Sequence, residues 1–210
     1  MDNDTLTRID LLRHGECQGG EIFRGSTDVE LTPRGWEQMH NALAAYSGWE
    51  HVISSPLTRC RLFAQQHAEN QQIGHSIETD IRELDFGDWE GRLVNEVWQE
   101  EPALLDAFVR DPAGFKPPNG ESVNDAFARA SAAWDRIRTN YAGQHILIVA
   151  HGGTIRLLLS AMLGLPLDNM NVWHVPYACL SRLEVVTRHK QERTVLVSHA
   201  PNPGHDSKDA

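Results

Sequence analysis

A chain of 210 residues, 40 % of them hydrophobic, is long enough for one α/β domain with a substantial core. Nineteen basic against twenty-nine acidic residues give a formal net charge of −10, which excludes the electrostatic footprint of a nucleic-acid or anionic-membrane binder. Three cysteines at unrelated spacings, Cys17, Cys60 and Cys179, fit neither a disulfide framework nor a zinc knuckle and point to the reducing cytoplasm.

The opening Met1-Asp2-Asn3-Asp4-Thr5 carries no basic and apolar leader, and residues 1–7 are expected to be loose. From Ile9 an apolar run rich in β-formers climbs to Arg13-His14 and breaks at Gly15, the pattern of a buried strand that delivers polar side chains to the rim of a sheet. Residues 15–31, rich in glycine and charge, read as a loop over that rim. Thr32-Pro33 opens a helix, with threonine as N-cap and proline at the first position, and Trp36, Met39, Leu43 and Tyr46 form its core-facing stripe.

His51–Ser54 is a short strand, and Ser55-Pro56 turns the chain into a helix from about Leu57 to Asn70. Arg59 then falls in the first helical turn, where a cation opposes the helix dipole; an anion bound in front of the helix accounts for it. Residues 76–79 make a third strand. The apolar and acidic stretch that follows, about 84–121, is expected to be a helical insertion across a pocket mouth, a lid.

Val123, Phe127, Ala130, Trp134, Ile137 and Tyr141 step by four and three, marking an amphipathic helix with Ser122 as N-cap. Residues 145–150 repeat the logic of the first strand, ending in His151-Gly152-Gly153 before a helix from about Thr154 to Leu163. Residues 178–186 and 193–198 look like a final antiparallel pair, and residues 201–210 a disordered tail. The expected architecture is a single α/β domain over residues 8–200, three layers in αβα order around a mainly parallel sheet. Should the two histidine-ending strands be parallel neighbours, His14 and His151 meet at the carboxyl edge, where open α/β sheets place their ligands.

Either histidine alone is ordinary; the ordered set is not. Leu12-Arg13-His14-Gly15-Glu16, Phe23-Arg24-Gly25-Ser26-Thr27-Asp28, Leu31-Thr32-Pro33-Arg34-Gly35, Ser54-Ser55-Pro56-Leu57-Thr58-Arg59, the run Glu83 to Gly91 and Ala150-His151-Gly152-Gly153-Thr154-Ile155-Arg156 resemble the histidine phosphatase, or phosphoglycerate mutase-like, superfamily. The resemblance implies a phosphoric monoester hydrolase with a small-molecule phosphate monoester as its partner. His14 would be the nucleophile that becomes phosphohistidine. Arg13 and Arg59 would hold phosphate oxygens, their planar forks suiting the task better than lysine. His151, protonated in the site, would complete the cradle with the N–H groups of Gly152 and Gly153. Glu83 would be the general acid; acidity alone does not select it from Glu78, Asp80, Asp85, Asp88 and Glu90.

Two departures stand out. Many members continue Arg-His-Gly-Glu-Thr-x-x-Asn, whereas this chain has Cys17 in place of the threonine and Gly20 in place of the phosphate-touching asparagine. Arg24 occupies a position where smaller polar residues are frequent. Arg24 and Gly25 are read as substrate-binding, with Arg24 either restoring the lost contact, meeting another part of the substrate, or facing solvent. Cys17 reads as a small residue packed near the pocket.

No HExxH pair, P-loop, GxGxxG or GxSxG occurs, so neither a metal nor another cofactor is expected. Within the superfamily the residue pattern looks most like the α-ribazole 5′-phosphate phosphatases of cobalamin assembly. Broad-specificity phosphatases, sugar-bisphosphate phosphatases, phosphoglycerate mutases and an inactive phosphate-binding scaffold are the rival readings. The lid carries Phe86, Trp89, Trp98 and Phe108 among many acidic residues, which suits an alcohol with an apolar or aromatic body. Oligomeric state stays open, a homodimer being the state considered.

Overall fold

In this computed structural model, which describes residues 4–189 and 191–200, six strands form one sheet: β1 (Thr5–Arg13), β2 (His51–Ser54), β3 (Gly74–Ile77), β4 (His145–Ala150), β5 (Leu180–Arg188) and β6 (Gln191–Ala200). Their order is β3-β2-β4-β1-β5-β6. β3, β2, β4 and β1 run parallel, while β5 and β6 add an antiparallel edge. Six α-helices surround it: α1 (Pro33–Leu43), α2 (Thr58–Gln71), α3 (Val94–Glu100), α4 (Pro102–Arg110), α5 (Val123–Asn140) and α6 (Gly152–Leu163). The α/β architecture with a mainly parallel sheet is therefore the one expected.

Strand alternation builds the layers. Ile9 and Leu11 of β1 and Ile146, Ile148 and Ala150 of β4 pack with Ala126 and Ala130 of α5 and Ile155 and Leu158 of α6. Leu12, Val52, Leu147 and Val149 point to the opposite face, onto Met39 and Leu43 of α1 and Phe63 and Ala64 of α2. Trp36 and Tyr46 cover the margin of this second core and stay partly exposed, Tyr46 lying beyond the end of α1. Asp10 points to the same face as Leu12 and is only 1 % exposed. Its carboxylate accepts from Trp49 Nε1 (2.9 Å), His145 Nε2 (3.0 Å) and Arg182 Nε (3.1 Å), so the buried charge is paired.

Some boundaries move. β1 starts at Thr5, so Thr5–Thr7, expected to be loose, belong to the strand and pair with Val185–Thr187 of β5. β3 sits two residues earlier than read, and α6 begins at Gly152 rather than about Thr154. Thr32 and Ser122 cap α1 and α5 as their side chains predict, accepting from Gly35 N (3.0 Å) and Asp125 N (3.1 Å). Within the 84–121 segment lie α3 and α4. The expected tail at 201–210 lies outside the described residues. Among the described residues no helix is long and apolar enough to cross a membrane.

Candidate active site

β1 and β4 are adjacent and parallel with Arg13 opposite Ala150, so the two chains leave the sheet side by side. His14 N donates to Ala150 O (3.0 Å), and the rings of His14 and His151 meet edge to face with centroids 5.3 Å apart. This is the carboxyl edge of the sheet, where α6 starts immediately after His151.

His14 is 4 % exposed. Its Nδ1 lies 2.8 Å from Gly15 O, and because a carbonyl only accepts, the proton sits on Nδ1 and the Nε2 lone pair is free for attack. Burial, reinforced by the charges of Arg59 and Arg13, holds the imidazole well below its usual pKa. A neutral, oriented imidazole results. Cys17 Sγ stands 3.4 Å from the same Nδ1, and burial raises its thiol pKa, so the small packed residue expected there is observed.

A cavity of about 300 Å³ opens at this point, lined by Arg13, His14, Arg24, Glu83 and Gly152 among the residues singled out from the sequence. Arg13 donates through Nη1 to Val175 O (2.7 Å) and lies over the Tyr177 ring, 4.4 Å from its centroid. Its Nε is buried without an acceptor, an orphan that an anionic ligand would satisfy. The Glu83 carboxylate crosses the start of α6, accepting from Gly153 N (3.1 Å), Thr154 N (2.9 Å) and Thr154 Oγ1 (3.0 Å). The approach is so close that a Cβ on Gly153 would lie 2.7 Å from Glu83 Oε1. The Gly153 N–H, expected in the phosphate cradle, thus serves the carboxylate instead.

Arg59, His151 and Gly25 stand behind the cavity wall rather than in it. Arg59 is fully buried, donating to Thr27 O (2.8 Å), Gly25 O (2.8 Å) and Arg24 O (3.3 Å), and through Nε to His151 Nδ1 (3.1 Å). A guanidinium can only donate, so His151 Nδ1 must accept, leaving the proton on Nε2, which donates to Ser55 Oγ (2.7 Å). Burial, with Arg59 and His14 beside it, holds His151 well below its usual pKa. These bonds draw a neutral ring, where the resemblance implies a protonated His151 in the reacting site.

Four contributors went unread in the sequence. Glu90 accepts from the backbone N–H groups of Gly25, Ser26, Thr27 and Phe86 and from the Thr27 hydroxyl, fixing the 25–27 loop from beneath. Burial opposes its charge, yet those hydrogen bonds hold its pKa below the ordinary carboxylate value. Arg129 grips Glu121 with two 2.7 Å bonds and donates to the carbonyls of Asp80, Arg82 and Glu83, setting the position of the Glu83 backbone. Tyr177 carries Arg13. Arg156 lines the cavity one helical turn beyond Gly152, anchored by Nε to Trp173 O (3.0 Å); its spacing from Gly152 is the signal that could have found it. Of the four aromatics singled out in the 84–121 segment, Phe86 and Phe108 line the cavity, whereas Trp89 is buried in the core and Trp98 is 42 % exposed.

Comparison with known proteins agrees with this geometry. The adenosylcobalamin/alpha-ribazole phosphatase of Escherichia coli (strain K12) is 30 % identical over 182 residues, 85 % of this chain and 90 % of that protein. Bifunctional protein Rv2228c of Mycobacterium tuberculosis is 34 % identical over 185 residues, 86 % of this chain, and this chain spans only 50 % of that relative's length. The native structure of mycobacterial glucosyl-3-phosphoglycerate phosphatase Rv2419c is similar with a TM-score of 0.80 at 26 % identity, covering 91 % of this chain and 97 % of that one. The family model of the histidine phosphatase superfamily (branch 1) matches residues 9–198, and the chain belongs to that superfamily.

Proposed function

We propose that the chain is a metal-independent phosphomonoesterase that works through a phosphohistidine on His14, with α-ribazole 5′-phosphate as its substrate. The observation that carries the reaction type is the Nδ1–H to Gly15 O bond, which leaves His14 Nε2 unprotonated and next to an orphaned arginine donor. In the first step, with Glu83 in its carboxylic-acid form, His14 Nε2 bonds to phosphorus, the bond from phosphorus to the ester oxygen breaks, and Glu83 gives its proton to the leaving alkoxide and becomes a carboxylate. In the second, water loses a proton to Glu83 and attacks phosphorus, freeing His14 and inorganic phosphate. Arg13, already fixed by Val175 O and the Tyr177 ring, meets the negative charge as it spreads over the equatorial oxygens.

Two features support the substrate. The residue pattern resembles that of α-ribazole phosphatases, and the E. coli relative is named as an adenosylcobalamin/alpha-ribazole phosphatase. The cavity combines its cationic end with an apolar wall of Ile22, Phe23, Phe86, Val94 and Phe108, shaped for an alcohol with a flat apolar body.

The test is a kcat/KM comparison of α-ribazole 5′-phosphate, 3-phosphoglycerate and fructose 2,6-bisphosphate in excess chelator, with an alkaline-quench assay for an alkali-stable, acid-labile phosphoprotein. Expected are a clear preference for α-ribazole 5′-phosphate, no loss in chelator, and a phosphoprotein that is absent in His14→Ala. Equal rates on all three reduce the proposal to a general phosphatase; efficient phosphate transfer between the hydroxyls of phosphoglycerate overturns it.

A further inference from the structure

Arg24 is 8 % exposed, yet it makes no ion pair among the described residues. Its Nη2 donates to Gln18 O (2.7 Å) and Gly20 O (2.8 Å), while Nε is buried with no acceptor. The side chain lines the cavity beside Arg13 and His14, and its charge acts on His14 together with those of Arg59 and Arg13. An uncompensated cation this deep is costly unless something negative arrives to meet it.

The loop that holds it is built for the purpose. Gly19 and Gly20 both take left-handed backbone angles, with φ of 91° and 71°, and this curl brings the carbonyls of Gln18 and Gly20 onto one guanidinium nitrogen. A Cβ at Gly19 would come within 3.5 Å of Arg24 Nη2, whereas around Gly20 there is nothing within 4 Å. The position at which many relatives carry an asparagine is therefore side-chain-free here and spends its carbonyl on orienting an arginine from four residues further on.

We infer that Arg24 is a ligand of the transferred phosphate, supplying from position 24 the donor that is missing at position 20, and that the Gly19-Gly20 curl exists to aim it. The inference rests on the phosphomonoesterase reading but not on the identity of the alcohol. It commits the two positions to an exchange: asparagine at 20 with a small residue at 24, or glycine at 20 with arginine at 24.

The experiment measures inorganic phosphate binding by calorimetry, which needs no turnover, and kcat/KM on p-nitrophenyl phosphate, for the wild type, Arg24→Gln, Gly20→Asn and the Gly20→Asn/Arg24→Gln double variant. Thermal melts accompany each. Loss of one charge-assisted bond should weaken phosphate binding about ten- to hundredfold in Arg24→Gln. The double variant should recover much of that loss, since asparagine tolerates a left-handed backbone and has open space at position 20. Phosphate binding within twofold of wild type in a folded Arg24→Gln overturns the inference. So does equal weakness of the single and double variants with a lowered melt in both, which would make Arg24 a brace of the loop only. A wild type that binds phosphate through Arg24 but hydrolyses no monoester would leave the inference standing and remove the phosphatase reading.

Discussion

Arg59 Nε donates to His151 Nδ1 over 3.1 Å, so the arginine dictates the tautomer of the second histidine and keeps a proton off the nitrogen that faces it. Together with the Gly15 carbonyl at His14, this leaves two neutral imidazoles in contact at a site surrounded by guanidinium charge.

The pH dependence of stability follows. His14 and His151 are held below their ordinary value of 6.5, so above that pH neither state binds the extra proton and the two groups do not change stability. As pH falls below 6.5 the unfolded chain takes up protons that the folded site refuses, and stability drops by up to about 1.4 kcal/mol per unit for each histidine. His51, His67 and His75 are shifted the same way by burial and add to the slope. Melting temperature should fall between pH 7 and 5, less steeply in His14→Ala and His151→Ala. The acid limb of kcat/KM should lie below pH 6.5, because His14 stays unprotonated there; a limb at or above 6.5 would contradict the lowered pKa of His14.

Ser55 is the acceptor for His151 Nε2–H and also takes the Leu57 N–H. In Ser55→Ala a buried N–H loses its partner at a cost of about 1–2 kcal/mol. The positioning role predicts a roughly tenfold lower kcat with KM changed less than threefold. A variant that melts lower but turns over at the wild-type rate would reduce Ser55 to a structural residue.

Glu90 does not itself line the cavity, yet it holds the loop that Arg59 also holds. Glu90→Gln replaces one acceptor oxygen with a donor that faces N–H groups, which should lower stability by about 3 kcal/mol and the Tm by roughly 10 °C. Because its pKa is held below the ordinary value, the stability it contributes is present above pH 4.5 and is lost as pH falls through the lowered value. Wild-type stability at pH 7 in Glu90→Gln would show that the five hydrogen bonds carry no net free energy.

Periodicity was enough for most of the fold. β4 at His145–Ala150 carries a continuous apolar run with a sharp end, β2 at His51–Ser54 only the pair Val52-Ile53 between polar residues, and the bounds of both coincide with the reading. Thr5–Thr7 escaped because their strand character comes from pairing with β5, a partner some 180 residues away that no local pattern announces. At the site, histidine and arginine identities were legible because strand ends and glycines mark them. Their protonation was not, since it depends on which neighbour donates: the His151 tautomer is decided by Arg59 and Ser55, distant in the chain. Glu90 lay in a run of acidic residues, and only the geometry of the 25–27 amides separates it from the rest.

The 25–27 loop is clamped from both sides, its N–H groups by Glu90 and its carbonyls by Arg59, with sequence separations of 65 from Gly25 to Glu90 and 34 from Gly25 to Arg59. Neither clamp can close until α2, which carries Arg59, and the turn that ends in Glu90 have docked, and each strengthens the other, since the loop presents both its edges only when folded. Order at this edge of the sheet is thereby tied to completion of the domain: a half-assembled chain cannot fix the 25–27 loop, and in a denaturant titration the activity proposed above should disappear together with tertiary structure in one step.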